Sequence, residues 1–295
     1  MAINLVTKFV PYVDEVFTAE SKKSLLTNND FDWSGAHTVK VHKVNTVDMN
    51  DYDRAGVKVG KKVSASDDTL VWSRYGVLGS VGNTIEEFTL TKDRSFTFVI
   101  DKMDSDETGQ VLAGASALAR QQREVIIPEV DTYVYSKMCT GAGTKVTDTT
   151  LTSANIYTEI IKANTVLDDA LVPETGRVLV VTPDTHLLMK QSDDIVMNTD
   201  IGNDMRLRGV IANLDGLLIV KVPKIRLPEK FGFMIAHPVA TVAPTKLEDY
   251  KIHQDPPGVS GELVEGRIVY DAFVLENKNK AIYYEENKPA TQGNS

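Results

Sequence analysis

Three stretches of this 295-residue chain predict a mixed α+β protein. In residues 88–101 (FTLTKDRSFTFVID), Phe88 and Leu90 alternate with Thr89 and Thr91, and Phe96, Phe98 and Ile100 alternate with Thr97 and Val99. Period 2 in β-branched and aromatic residues marks a half-buried strand or strand pair. Residues 104–138 place Val111, Ala115, Leu118, Ile126, Val130 and Tyr133 at spacings of three, four and their multiples, one apolar stripe along a long helix. Beyond Lys145 helical and strand patterns alternate.

Taken in order, Phe9, Val10, Val13 and Phe17 predict a short amphipathic helix from Leu5 to Thr18, interrupted at Pro11. Thr27–Gly35 (TNNDFDWSG) is a turn-forming cluster, and Val39 and Val41 alternating with Lys40 and His42 predict a strand. These first 48 residues read either as an N-terminal subdomain or as an arm lying on a neighbour. Residues 49–86 carry Gly56, Gly60, Gly76, Gly79 and Gly82 with only scattered large apolar residues. That length exceeds the roughly 12–15 residues of a structureless loop, leaving a lid, a linker or an extended hairpin. Trp72 and Tyr75 favour the hairpin, since linkers are poor in aromatics.

For the helix over 104–138, Asp104 with Glu107 predicts a capping-box start, and the acidic run Asp101–Glu107 suits the positive end of the helix dipole. Pro128 removes a donor and predicts a bend, and Gly141-Ala142-Gly143 a stop. Ser153 is the expected cap of a helix running to about Leu171 with Ile156, Ile160, Ala163 and Leu167 on one face. Val178–Thr182 reads as a buried strand, and Pro183 as the first residue of a short helix. Further strands are expected at Leu217–Val222, Phe231–Ala236, Val239–Val242, Glu262–Leu275 and Ala281–Tyr284, with a turn at Asn277–Asn279 and a frayed tail from Glu285.

Composition narrows function. The 32 Lys and Arg against 41 Asp and Glu leave a net charge of −9, a poor basis for binding polyanions through phosphate contacts. The single cysteine, Cys139, excludes an intrachain disulfide and a Cys-based zinc site and fits a reducing compartment. No run nears the about 18 apolar residues of a membrane span. The opening Ile3–Val6 is broken by Thr7 and Lys8, unlike a signal peptide, so a soluble protein made inside the cell is expected.

Chemistry-bearing motifs are weak. His37, His42, His186, His237 and His253 have no ligand spacing, so no metal is expected. Gly76–Gly82 has GxxGxxG spacing but opens no helix, and Thr140–Lys145 lacks the order of a phosphate loop, so no cofactor is expected. Cys139 at a helix C-terminus is no nucleophile, and no Ser–His or Cys–His arrangement has a supporting motif, so no catalytic residue is named. Lys221, Lys224, Arg226 and Lys230 read as a solvated basic loop.

The order of elements, together with Asp51-Tyr-Asp-Arg54, Leu90–Phe98 (LTKDRSFTF) followed by Ile100-Asp101, and Asp106-Glu-Thr108, resembles the major capsid proteins of tailed bacteriophages with the Hong Kong 97-type shell fold, especially those of phages and prophages of Gram-positive bacteria. The resemblance covers nearly the whole chain. It implies an α+β fold with an N-terminal arm (1–48), an extended β-hairpin loop (49–86), a peripheral domain (87–145 and 251–279) with a spine helix at 104–138, an α/β axial domain (146–250 and 280–285), and a flexible tail (286–295). Inter-subunit contacts would fall on Tyr52, Arg54, Leu70, Trp72 and Tyr75 of the loop. The implied partners are copies of the chain itself, in hexamers and pentamers, a portal protein, and double-stranded DNA enclosed without sequence-specific binding and without a membrane. A separate scaffolding protein is expected because no long charged N-terminal coiled coil is present. The implied location is the virion, with assembly in the host cytoplasm. Two other readings make different predictions: an encapsulin-like nanocompartment shell, and a soluble α/β enzyme using 49–86 as a lid.

Overall fold

The computed structural model describes residues 21–28, 38–44, 46–52, 54, 61–64, 67–71, 74–75, 81–107, 114–192 and 213–288. Two compact units divide the chain: residues 35–90 form one, and residues 1–34 with 91–295 form the other. The expected helix over 5–18 and the bulk of the Gly76–Gly82 segment lie outside the described residues.

The 35–90 unit holds two antiparallel pairs. β1 (Thr38–Val44) pairs with β4 (Asn83–Thr89), and β2 (Lys61–Ser64) with β3 (Asp67–Val71). The alternation of Val39 and Val41 therefore does mark a strand, and the 49–86 stretch does contain a hairpin. The 88–101 pattern is two strands, since it breaks at Leu90 and Thr91 before β5 (Lys92–Asp101).

In the other unit, the expected helix over 104–138 is helical at 102–107 and throughout 114–141, and its residues 108–113, Val111 included, lie outside the described residues. α1 (Lys102–Glu107) begins before Asp104, because Asp101 Oδ1 accepts from the Met103 N–H at 2.8 Å and is the actual cap. α2 (Gly114–Gln121) continues through a π turn at Gln122–Ile126 into α3 (Ile127–Gly141). Ile127 N–H reaches back five residues to the Gln122 carbonyl. Pro128 explains the wide turn: it offers no N–H to the Glu124 carbonyl and its ring needs the room that i→i+5 bonding opens. The distortion thus lies just ahead of the proline, and the helix ends at Gly141, three residues past Met138.

β6 (Thr144–Thr149) was not anticipated, its TKVTDT sequence having only one large apolar side chain. α4 (Ile156–Asp169) starts later than Ser153, with Asn155 in the cap position; Ser153 makes no cap because Thr152–Asn155 is a turn closed by Asn155 Oδ1 accepting from Thr152 N–H at 2.7 Å. β7 (Val178–Val181) leads into α5 (Pro183–Gln191), which has Pro at its first position and Thr182 Oγ1 accepting from Thr185 N–H at 3.1 Å. β8 (Asn213–Leu214), β9 (Leu217–Lys221) and β10 (Phe231–Ala236) follow. Val239–Val242 is a 3-10 turn (Pro238–Ala240) and then the two-residue β11 (Thr241–Val242). β12 (Thr245–Gln254) was also unforeseen, and β13 (Gly261–Tyr270) stops short of the expected Leu275 because Asp271 turns the chain into β14 (Phe273–Val274). A 3-10 segment (Glu276–Ala281) covers the expected turn. β15 (Ile282–Asn287) then extends past Tyr284, so the tail begins later than expected: Glu285 is fully buried, Asn287 N–H bonds the Lys230 carbonyl and Lys288 N–H that of Thr149.

β6-β15-β10-β7-β9-β8 form a six-stranded mixed sheet. Strict alternation sorts its side chains to two cores. Val178, Val180, Met234, Ala236, Ile282 and Tyr284 pack with Val130, Val134, Tyr135 and Met138 of α3. Leu179, Val181, Phe233, Ile235 and Tyr283 pack with Ile156, Ile160, Ala163 and Leu167 of α4. Burial on both faces is why β7 and β10 read as continuous apolar runs. β12-β13-β5 form a separate antiparallel sheet, and β11-β14 a short ladder. Residues 21–28 belong to this unit: Leu26 is fully buried in the α3 core, and Ser21 Oγ donates to Asp131 Oδ1 at 2.6 Å.

Candidate subunit-contact surface

Parity along β1 and β4 decides what the 35–90 unit shows to solvent. One face carries Val39, Val41 and Lys43 opposite Phe88, Glu86 and Thr84. Here Lys43 Nζ lies 2.9 Å from Glu86 Oε2, with the two side chains only 14 % and 12 % exposed. The other face carries Lys40–Glu87, an ion pair at 2.5 Å, the Thr38–Thr89 hydroxyl pair at 3.0 Å, and Asn83 Nδ2 donating to His42 Nδ1 at 3.0 Å. Cross-strand pairs of this kind help to hold a two-stranded ribbon together.

Large apolar side chains crowd the solvent-facing positions of this unit. Met49 is 99 % exposed and Tyr75 75 %, and Val44, Val47, Tyr52, Val81 and Ile85 are also exposed. Among the contact candidates, Tyr52 and Tyr75 are brought together, ring edge to ring face, with centroids 5.1 Å apart and planes at 70°. Arg54 is exposed. Leu70 stands in β3 opposite Lys62, and Trp72 lies outside the described residues. Val44 and Ile85 were missed, though parity was the available signal: Val44 is out of phase with Val39 and Val41, so it must point to the opposite face.

The other unit also exposes large apolar side chains, Leu171, Ile225 and Met103 among them, spread over a longer stretch of chain. Among the described residues, no three His, Cys, Asp or Glu side chains are grouped to hold a metal. Cys139 is buried, and burial, with Glu286 adding to it, pushes its thiol up to about 12. A shallow groove on the three-stranded sheet is lined by Ser95, Thr97, Asp249, Lys251, Glu265 and Arg267, and its lining includes neither His nor Cys. Of the basic run, Lys221, Lys224 and Lys230 are exposed as expected, and Arg226 is the exception. Arg226 is buried against Asp131 of α3, with Nη1 to Oδ2 at 2.9 Å, and Lys224 pairs with Asp184.

No protein-family model matches the chain, and no curated protein does. Solved structures do. A structure of Mycobacterium phage Che8 superposes with a TM-score of 0.74 at 19 % identity, covering 96 % of this chain and 98 % of that one. The capsid of Cyanophage P-SCSP1u gives 0.72 at 14 % identity over 97 % and 93 %. The mature capsid of bacteriophage PhiM1 gives 0.69 at 14 % over 97 % and 92 %. The chain has the fold of a phage capsid protein. The capsid fold is also matched, at a lower TM-score of 0.53 and 11 % identity over 90 % and 92 %, by a virus-like particle from Pyrococcus furiosus. Within the capsid fold of this chain, the exposed apolar side chains of residues 44–85 are the candidate contact surface.

Proposed function

We propose that the chain is a major capsid subunit whose copies form hexamers and pentamers and close into an icosahedral shell around double-stranded DNA. The observation that carries this reading is the 35–90 unit. It combines paired strands with exposed Met49, Val47, Tyr52, Tyr75, Val81 and Ile85, apolar surface that favours burial against another copy. Heterologous contacts between identical chains close into rings, and rings tile a shell. In this reading residues 1–48 are an arm and 49–86 a loop that reaches a neighbouring copy. Residues 87–145 and 251–279, with β5, α1–α3 and β13, make the peripheral domain, residues 146–250 and 280–285, with most of the six-stranded sheet, the axial domain, and residues 286–295 a tail. Tyr52, Arg54, Leu70, Trp72 and Tyr75 are contact residues. The subunit is structural rather than catalytic, works with a separate scaffolding protein and a portal, and ends in the virion after assembly in the host cytoplasm. Its net charge of −9 suits a container that lets DNA move. Among the described residues no helix is long and apolar enough to cross a membrane.

Negative-stain microscopy of the purified chain, with and without its co-expressed scaffold, tests this directly; shells are expected, and small discrete particles under both conditions would refute it. Deleting residues 55–82 is expected to leave a folded chain that forms no shells. The likeness to the Pyrococcus furiosus particle favours a second reading, a nanocompartment shell that encloses protein. Mass spectrometry and the ultraviolet absorbance ratio of purified particle contents separate the two.

A further inference from the structure

The chain passes from one unit to the other twice, leaving the larger unit after Ser34 and returning at Thr91. The described residues nearest to both passages end on one small element. On the outgoing side, Asn28 N–H donates to the Thr241 carbonyl at 2.9 Å and Asn28 Nδ2 to that of Val239 at 3.1 Å, and Asn28 forms a parallel bridge with Val242. Val242 pairs with Phe273 in the β11-β14 ladder, and Asp271 N–H closes its end on the Pro244 carbonyl at 3.2 Å. On the returning side, Thr91 N–H and Thr91 Oγ1 both donate to Asp271 Oδ2, each at 2.8 Å. The second carboxylate oxygen, Oδ1, accepts from Tyr133 Oη at 2.8 Å and from Ala272 N–H at 2.7 Å.

Asp271 is 2 % exposed, yet four donors on two oxygens satisfy its charge. Burial and the Asp271 hydrogen bond raise the Tyr133 phenol to about 12, so it remains a donor throughout the working pH range. Thr91 belongs to neither β4 nor β5, so no ladder holds its amide. A buried carboxylate spent on the first residue after the 35–90 excursion points to a positional role.

We propose that the β11-β14 ladder is the common anchor for both passages and that Asp271 is a positioning residue for shell formation, fixing Thr91 where the chain re-enters the larger unit. This rests on the capsid-subunit reading for its consequence, but the anchor itself is a property of the single chain.

The test is amide hydrogen exchange on the unassembled full chain together with shell yield. In the parent, the residue 91 amide is expected to be protected although it has no strand partner. Asp271→Ala is expected to lower that protection by at least about tenfold, the loss of a charged hydrogen bond, while the β5-β13 amides of Thr97 and Val264 change by less than about threefold. Thr91→Val, which keeps the amide and loses only the hydroxyl donor, is expected to have a smaller effect, with shell yield falling in the same order. The proposal is overturned if the parent residue 91 amide exchanges freely, if Asp271→Ala strips protection from β5 and β13 in proportion, or if it forms shells at the parent yield. Should Asp271→Ala not fold, the parent exchange and Thr91→Val decide. A parent chain that forms no shells refutes the capsid reading, whereas exchange still decides the anchor.

Discussion

Arg226 Nη1 lies 2.9 Å from Asp131 Oδ2, and the two residues are 4 % and 1 % exposed. They join the turn before β10 to the second turn of α3, and Ser21 completes the group by donating to the other Asp131 oxygen. Breaking such a pair strands a buried charge. Asp131→Ala is expected to cost about 3–5 kcal/mol. The double variant Asp131→Leu with Arg226→Met should recover most of that loss, since an apolar pair leaves no charge behind. Urea unfolding of the single and double variants measures both; equal losses in the two would show that packing, not charge, dominates.

The π turn at Gln122–Ile126 is attributed to Pro128. Pro128→Ala supplies an N–H for the Glu124 carbonyl, and the turn is expected to tighten to α geometry with a gain of up to about 3 kcal/mol. Protection of the new residue 128 amide in hydrogen exchange reports the conversion. A freely exchanging amide with no gain in stability would place the cause elsewhere in the helix.

Glu285 is fully buried and its Oε1 has no hydrogen-bond partner, while Oε2 accepts from Tyr283 Oη at 3.2 Å. Burial, helped by Glu159, holds its carboxyl above the ordinary 4.5, against opposing hydrogen bonds from Thr149 and Tyr283. The folded chain therefore binds this proton more tightly than the unfolded chain. The associated stability is complete below the unfolded value and is lost as pH rises through the folded one. Glu285→Gln is expected to be more stable than the parent at pH 7, with the difference shrinking toward pH 4.5. A difference independent of pH in thermal melts across that range would contradict the assignment.

Two glycines with positive φ differ in their surroundings. A Cβ on Gly261 (φ +137°) would strike the Ile100 carbonyl and lie 2.8 Å from Lys102 N, whereas one on Gly258 (φ +88°) would meet nothing within 4 Å. Gly258→Ala carries backbone strain alone, about 1 kcal/mol. Gly261→Ala adds a clash with β5 and is expected to cost about 2–4 kcal/mol. Denaturant midpoints rank the two, and a reversed order would refute the steric reading.

Cys139 has a thiol pushed to about 12, leaving about one part in ten thousand as thiolate at pH 8. The native chain should not react with a disulfide reagent over hours, and one equivalent should react after denaturation. Rapid native labelling would mean that α3 opens locally.

Local pattern was enough for much of this protein. The Val178–Val181 and Phe231–Ala236 runs, the α4 stripe, Pro183 at a helix start and the strand break near Leu90 follow from the nearest few side chains, and these set the α+β class and the two-faced core. Composition marked 49–86 as poor in core residues, and of the contact candidates that the resemblance implied, Tyr52, Arg54 and Tyr75 are exposed. Other features depended on residues far apart in sequence. Asp101 displaced Asp104 as a cap because the strand ahead of it is held by β13, and β6 and β12 are strands only because β15 and β13 offer them edges to pair with. Arg226 read as solvated until the fold set Asp131, 95 positions earlier, against it. Asp271 likewise has Thr91 and Tyr133 as partners across 180 and 138 positions. Hydrophobic period is a local quantity and is written in the chain. Where a polar group finds its hydrogen bonds is decided only when distant segments pack, because burial is what makes an unpaired charge or amide too costly to leave.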